Sequence, residues 1–261
     1  MGASCIDDCW LGRPLCRGYR IAVFATAQVA VRLDDGPQGH RIGWALGFLP
    51  NTEAEVLGLW AQPDADAVVM HDLHERGVER IAMVIDAGWP SAASEALSAY
   101  PRARAAPSTE HFVRRVTAPL PRRLRGAVTD DLRAAFAEQG GAALLDAVRS
   151  AERSAARRAR TQEPVGVNQA LRLRAALQTL PEEARRFVLA ADRTASVLLE
   201  ELARAVQRNG YFLNRAAAIE FLANTLQRAE RRMGRERAAA AGRGRLLRAA
   251  AESRLAGSRA V

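Results

Sequence analysis

The stretch from Arg80 to Pro90, RIAMVIDAGWP, constrains the fold of this chain more than any other. Its apolar run from Ile81 to Ile85 is too short for a free-standing helix and lies between a charged turn and a glycine. That is the pattern of a strand buried on both faces, as found in α/β sheets. The run delivers one carboxylate, Asp86, to the carboxyl end of the strand, and the backbone then turns at Ala87-Gly88. Ligands and catalytic groups gather at this edge of open α/β sheets. Two readings of Asp86 stand: a catalytic acid, or a turn residue or cap of the helix that starts near Ser91.

Around this stretch the elements follow in a definite order. Residues 1–18 lack periodicity and read as irregular. A strand runs from Arg20 to Leu33, and Asp34-Asp35-Gly36-Pro37 is a turn cluster in which both acids are turn residues. Strands from Arg41 to Phe48 and from Glu53 to Leu59 complete a three-stranded meander. Asp64 to Arg76 has helical periodicity and stops at Gly77. His71 and His74 lie one turn apart there, but with no third ligand nearby they read as surface residues. After the strand at 81–85 come a helix from Ser91 to Ala99, a short strand from Arg102 to Ala106, and a helix from Glu110.

A meander followed by alternating helices and strands is the sequence pattern of an RNase H-like α/β core. In such a core the first and fourth strands lie side by side, and acids on them can hold divalent metal ions. From Pro119 to about Ala190 the chain reads as wholly helical, with solvated Arg- and Ala-rich faces. An amphipathic helix follows from Arg193 to Arg208, and Asn214 caps a last one from Arg215 to about Arg232. The expected division is therefore an N-terminal segment (1–18), a first part of the core (19–117) and a helical insertion (118–190). C-terminal helices that complete the core (191–232) and a basic tail without regular structure (233–261) follow.

Charge is unevenly placed. The net charge is +9, and all 38 basic residues are Arg. From Arg228 to Val261 there are ten Arg against three Glu, so the tail holds most of the excess. Arg suits bidentate phosphate contacts, although a Lys-free, Ala-rich chain also fits a GC-rich coding genome. Cys5, Cys9 and Cys16 match no common zinc spacing and read as reduced thiols. No apolar run approaches the roughly 18 residues of a membrane span, and no signal-peptide pattern opens the chain, so a cytoplasmic location away from the membrane is expected.

Several blocks, in order, resemble the mutator-type transposases of bacterial insertion sequences. They are WLGRPLCRGYRIAVF from Trp10, EVLGLW (Glu55 to Trp60), DLHERGV (Asp72 to Val78) and VIDAGWPSAASEALSAYP from Val84. His111 and Arg114 are similar to the family's C-x-x-H-x-x-R-N, and Gly210-Tyr211-Phe212 to its "RGhF". The resemblance spans about Trp10 to Arg232. It implies a DDE recombinase of RNase H-like fold, in which three acids bind two Mg²⁺ ions that activate the nucleophile and stabilise the leaving oxygen. It also implies that the family's helical DNA-end-binding region, which precedes the first catalytic strand, is missing.

Carried over residue by residue, the resemblance keeps one acid in three. Asp86 matches the second acid and is the candidate catalytic and metal-binding residue. Thr26 occupies the first position and Ser196 the third, with Glu200 one helical turn further on as a substitute ligand. Ser108 stands at the family's cysteine and Arg115 at its asparagine. Productive Mg²⁺ binding is therefore not expected. The candidate DNA-binding residues are Arg231, Arg232, Arg235, Arg237, Arg243, Arg245 and Arg248.

Three readings of function follow. The first is a catalytically impaired transposase that keeps weak, non-specific DNA binding. The second is a transposase-derived regulatory module that pairs with itself or with an intact transposase. The third is an active strand-transfer enzyme with relocated ligands.

Overall fold

The computed structural model describes residues 8–33, 36–61, 66–137, 142–156 and 167–257. A short helix α1 (Asp8–Leu11) and a two-residue strand β1 (Gly18–Tyr19) lead into the long strands β2 (Ile21–Leu33) and β3 (Gly36–Phe48). Next come β4 (Ala54–Trp60), α2 (Asp66–Glu75), β5 (Arg80–Ile81), β6 (Met83–Asp86), α3 (Pro90–Ala99) and β7 (Arg104–Ala106). The rest is helical: α4 (Thr109–Thr117), α5 (Arg122–Ala137), α6 (Ala142–Ala156), α7 (Val167–Gln178), α8 (Glu182–Asn209) and α9 (Arg215–Gly257).

The main sheet has the order β4-β3-β2-β6-β7. β2, β3 and β4 form the antiparallel meander, while β6 lies parallel to β2 and β7 parallel to β6. Because side chains alternate across a strand, β2 feeds two cores. Ala22 and Phe24 pack with Leu73, Trp89 and Ala92 on the side of α2 and α3. Val23 and Ala25 pack with Phe112, Leu198 and Leu222 on the side of α4, α8 and α9. This two-sided burial is what the apolar runs at 21–25 and 83–85 require.

The expected single strand at 81–85 is split in two. Ile81 pairs with Tyr19 in a small parallel sheet, whereas Val84 pairs with Ala22 of β2. The run serves two partners, and Ala82 between them donates to Tyr19 O at 2.9 Å and accepts from Arg104 N at 3.0 Å. α1 and β1 likewise give structure to part of the segment expected to be irregular. α8 is one 28-residue helix, not a helix beginning at Arg193, since no glycine or proline interrupts 182–209. The tail expected to lack regular structure continues α9 to Gly257, in keeping with the high helix propensity of Ala and Arg. The side chains of Arg243, Arg245 and Arg248 lie outside the described residues, as do Cys5, Asp34 and Asp35.

Two contacts fix the outer layers. Trp89 lies over the sheet with its ring where a Cβ on Gly43 would come within 2.2 Å, so β3 can carry only glycine at that point. Gly43 is the cross-strand partner of Thr26. At the far edge, Glu230 of α9 accepts from Val56 N at 2.7 Å, Trp10 Nε1 at 2.8 Å and Arg13 Nη2 at 2.9 Å. The Val56 bond occupies a donor of the edge strand β4 beside its irregularity, and ties α1 and α9 to it. Glu230→Ala takes their shared acceptor from Val56 N and Trp10 Nε1, while Arg13 keeps Val56 O, and should lower unfolding free energy by about 2–3 kcal/mol in urea titrations, with Glu230→Gln costing less.

Candidate active site

β6 ends at Asp86, and the chain turns immediately. Asp86 Oδ1 accepts from Gly88 N at 2.9 Å and Trp89 N at 2.8 Å, closing the turn ahead of α3. Gly88 holds φ +123°, a backbone conformation that side chains disfavour. Asp86 therefore does the local work of a turn residue, while the N-cap of α3 is Trp89 with no side-chain cap bond, and Asp86 is half-buried at the carboxyl edge of the sheet.

The other two positions carried over from the resemblance converge on this turn. Phe24 is in register with Asp86, and Thr26 lies two residues further along β2. Thr26 Oγ1 donates to Gly88 O at 3.2 Å. From α8, the buried Ser196 Oγ accepts from Arg114 Nη1 at 2.9 Å, and Arg114 Nη2 donates to Ala87 O at 3.1 Å. Arg114 thus spans from the third position to the residue after Asp86. Burial pushes its guanidinium below the ordinary value, while Asp192, Glu110 and Glu200 pull it back up. Glu200 itself is exposed.

His111 sits against the same turn, its ring 3.5 Å from where a Cβ on Gly88 would lie. Burial, then the Arg114 charge, lower its pKa below the ordinary 6.5, against an opposing pull from Asp86. Arg114, His111 and the Asp86 turn form one cluster. Gly210 and Phe212 act at a distance from it. Gly210 (φ +82°) ends α8, and Phe212 exchanges backbone bonds with Ala30 O and Arg32 N at 2.8 and 2.7 Å. That bridge returns the chain to the end of β2 and so sets where α8 and α9 begin and end.

A buried charge network that sequence reasoning missed backs the cluster. Asp192, 1% exposed, accepts from Ser108 Oγ at 2.8 Å, Glu110 N at 2.9 Å and Thr109 Oγ1 at 3.2 Å. It therefore anchors α8 to the N-terminus of α4, where a helix dipole favours negative charge. Ser108 also caps α4 by accepting from His111 N at 3.0 Å. Glu110 is gripped at both oxygens by Arg133, each at 2.7 Å, and lies 3.3 Å from Arg193. One signal was available: Asp192 and Ser196 are one turn apart on one face of α8.

A family model described as Transposase, Mutator family matches residues 6–233. The chain belongs to the mutator family of transposases. A comparison with curated proteins finds no match. Transposition in general calls for a divalent metal, and the donors at this mutator-family site do not suit one. Mg²⁺ requires a near-octahedral set of oxygens and is bound through carboxylates. Here the first and third positions offer the Thr26 and Ser196 hydroxyls, one oxygen of Asp86 is taken by two N–H groups, and the Arg114 cation touches Ser196. Among the described residues, no group of three His, Cys, Asp or Glu side chains stands together as a metal site. His71 and His74 are both exposed. His71 pairs with Glu75 at 3.2 Å, and His74 stacks on Tyr100.

The basic residues of α9 differ in their surroundings. Arg231 and Arg235 are exposed, whereas Arg232 is held by Glu201 at 2.6 and 3.0 Å and Arg237 reaches Thr52 at 3.3 Å. On the face of α8 turned away from Asp192, Ala190, Thr194 and Val197 line a groove of about 1350 Å³ with Phe48, Leu49 and Met233. No described helix is long and apolar enough to cross a membrane.

Burial outweighs the three donors at Asp192 and raises its carboxyl pKa above the ordinary 3.8. The folded state then holds this proton to higher pH than the unfolded chain does. Raising the pH from 3.8 through the folded value should therefore reduce stability. Asp192→Asn should remove that downward slope from a plot of unfolding free energy against pH.

Proposed function

We propose that this chain is a mutator-family protein of DNA transposition that retains an RNase H-like core and DNA binding but has lost strand-transfer catalysis. The sheet order β4-β3-β2-β6-β7, with a meander followed by two parallel strands, supports the RNase H-like reading. The adjacency of β2 and β6 supports it as well, because the strand that carries Thr26 lies beside the strand that ends at Asp86.

The observation that carries the loss of catalysis is the donor set where β2, β6 and α8 meet. Two-metal strand transfer needs carboxylates that clamp both the attacking and the leaving oxygen. Thr26 and Ser196 supply neutral hydroxyls, already bonded to Gly88 O and Arg114. The exposed Glu200 lies one turn, about 5–6 Å, from Ser196. Misplacement of even about 1 Å costs roughly two orders of magnitude in rate. What remains is the basic C-terminal surface, whose exposed Arg231 and Arg235 suit phosphate contacts.

Incubation with Mg²⁺ or Mn²⁺ and DNA carrying element ends should give no cleavage above background, in the native protein and in Asp86→Ala alike. The same protein should shift DNA at low salt and release it steeply as salt rises. Metal-dependent cleavage that disappears in Asp86→Ala would overturn the reading.

A further inference from the structure

We propose that the groove between α8 and α9 binds the phosphodiester backbone of a nucleic acid. This rests on the DNA-binding reading above and names the surface that performs it. The two helices are joined by the short turn at 210–214, and between them lies a groove of about 490 Å³. Arg208 and Asn209 line it from α8, and Thr225, Arg228 and Arg232 from α9. Glu201 is the one carboxylate among the lining residues, and it is already engaged bidentately by Arg232.

The charge arithmetic favours an anion. Glu201 and Arg232 neutralise each other and form a fixed floor. Arg208 from α8 and Arg228 from α9 add two further cations to the lining, so three arginines face one carboxylate, and both Arg204 and Arg208 lie close enough to Glu201 to act on its charge. Arg228 Nε donates to Asn224 O at 3.0 Å and Arg204 Nε to Glu200 O at 3.2 Å. Each of these bonds uses one of the five N–H donors of a guanidinium and steadies the side chain against its own helix. A planar fork held in this way matches phosphate geometry.

The basic face continues along α9. At about 100° per residue, Arg231 and Arg235 fall within about 60° of Arg228, and both are exposed. From Arg228 to Arg235 the helix rises about 10 Å, the length of roughly three successive phosphates of one strand. The basic residues singled out from the sequence therefore divide. Arg231, Arg232 and Arg235 lie on or beside this groove, whereas Arg237 points to the β3–β4 turn and contacts Thr52.

The test is fluorescence anisotropy of a labelled duplex of arbitrary sequence, titrated with the full chain at several salt concentrations. Arg208→Ala with Arg228→Ala should reduce the slope of log affinity against log salt by about 1.8, two contacts at about 0.9 each. Arg208→Lys with Arg228→Lys should keep most of the native slope, which separates lost charge from lost folding. Arg122→Ala with Arg123→Ala, an equal change at exposed positions of α5, should leave it unaltered. Native slope and affinity in the Arg208/Arg228 alanine variant would overturn the groove while leaving DNA binding intact. An equal loss in the α5 variant would overturn it too, showing that only net charge matters. No binding by the native chain at about 50 mM salt would overturn both the groove and the DNA-binding reading.

Discussion

The parallel pairing of β2 with β6 is the constraint from which the rest of this fold follows. Both strands are buried on two faces, so each face must be closed by helices, and the parallel sense forbids a tight hairpin between them. The crossover is made by the meander and α2, and it ends with Asp86 beside Phe24. β2 also reaches well beyond β6. Its far end takes a backbone bridge from Phe212, which places the α8–α9 hairpin against the same strand that carries Thr26. The three positions around the turn are thus brought together by one strand and its partners, with no direct bond between their side chains required.

The interior behind the turn is governed by a different balance. Isolated charges are costly to bury, and each of those present has its complement: Asp192 with three donors, Glu110 with Arg133, and Arg114 with Ser196 and Ala87. This is a site in which hydrogen-bonding capacity is spent on holding α4, α8 and the turn together. One oxygen of Asp86 and the hydroxyls of Thr26 and Ser196 are turned to protein partners. The same chemistry serves a structural end.

Much of the framework is legible in the sequence because it is written in local patterns. The buried strand character after Arg80, the turn signals at Gly77 and Gly88, and the Asn214 cap all appear in the structure; Asn214 Oδ1 accepts from Ala217 N at 2.8 Å. The division of the 81–85 run between β5 and β6 was not legible, since it depends on Tyr19, far away in the chain. Asp192 and Glu110 were hidden for a related reason. Their burial is decided by partners far away in the chain, such as Ser108, 84 residues from Asp192. Glu230 anchors α1 and β4 from 220 and 174 residues away. Asp86, Thr26 and Ser196 could be picked out only by resemblance, and their common attachment to one turn emerges only in three dimensions.

The Trp89 ring over Gly43 bears on how such a chain ages. Any side chain at 43 collides with an indole that is itself locked between Phe24 and Trp60. That steric veto operates in every copy that folds, with or without chemistry at the neighbouring turn. If descendants of this chain keep Gly43 and Trp89 while the surrounding surface drifts, the pair will be recording the survival of the scaffold and not of a reaction. The most immobile-looking residues beside an active centre can thus be the ones least informative about whether it still turns over.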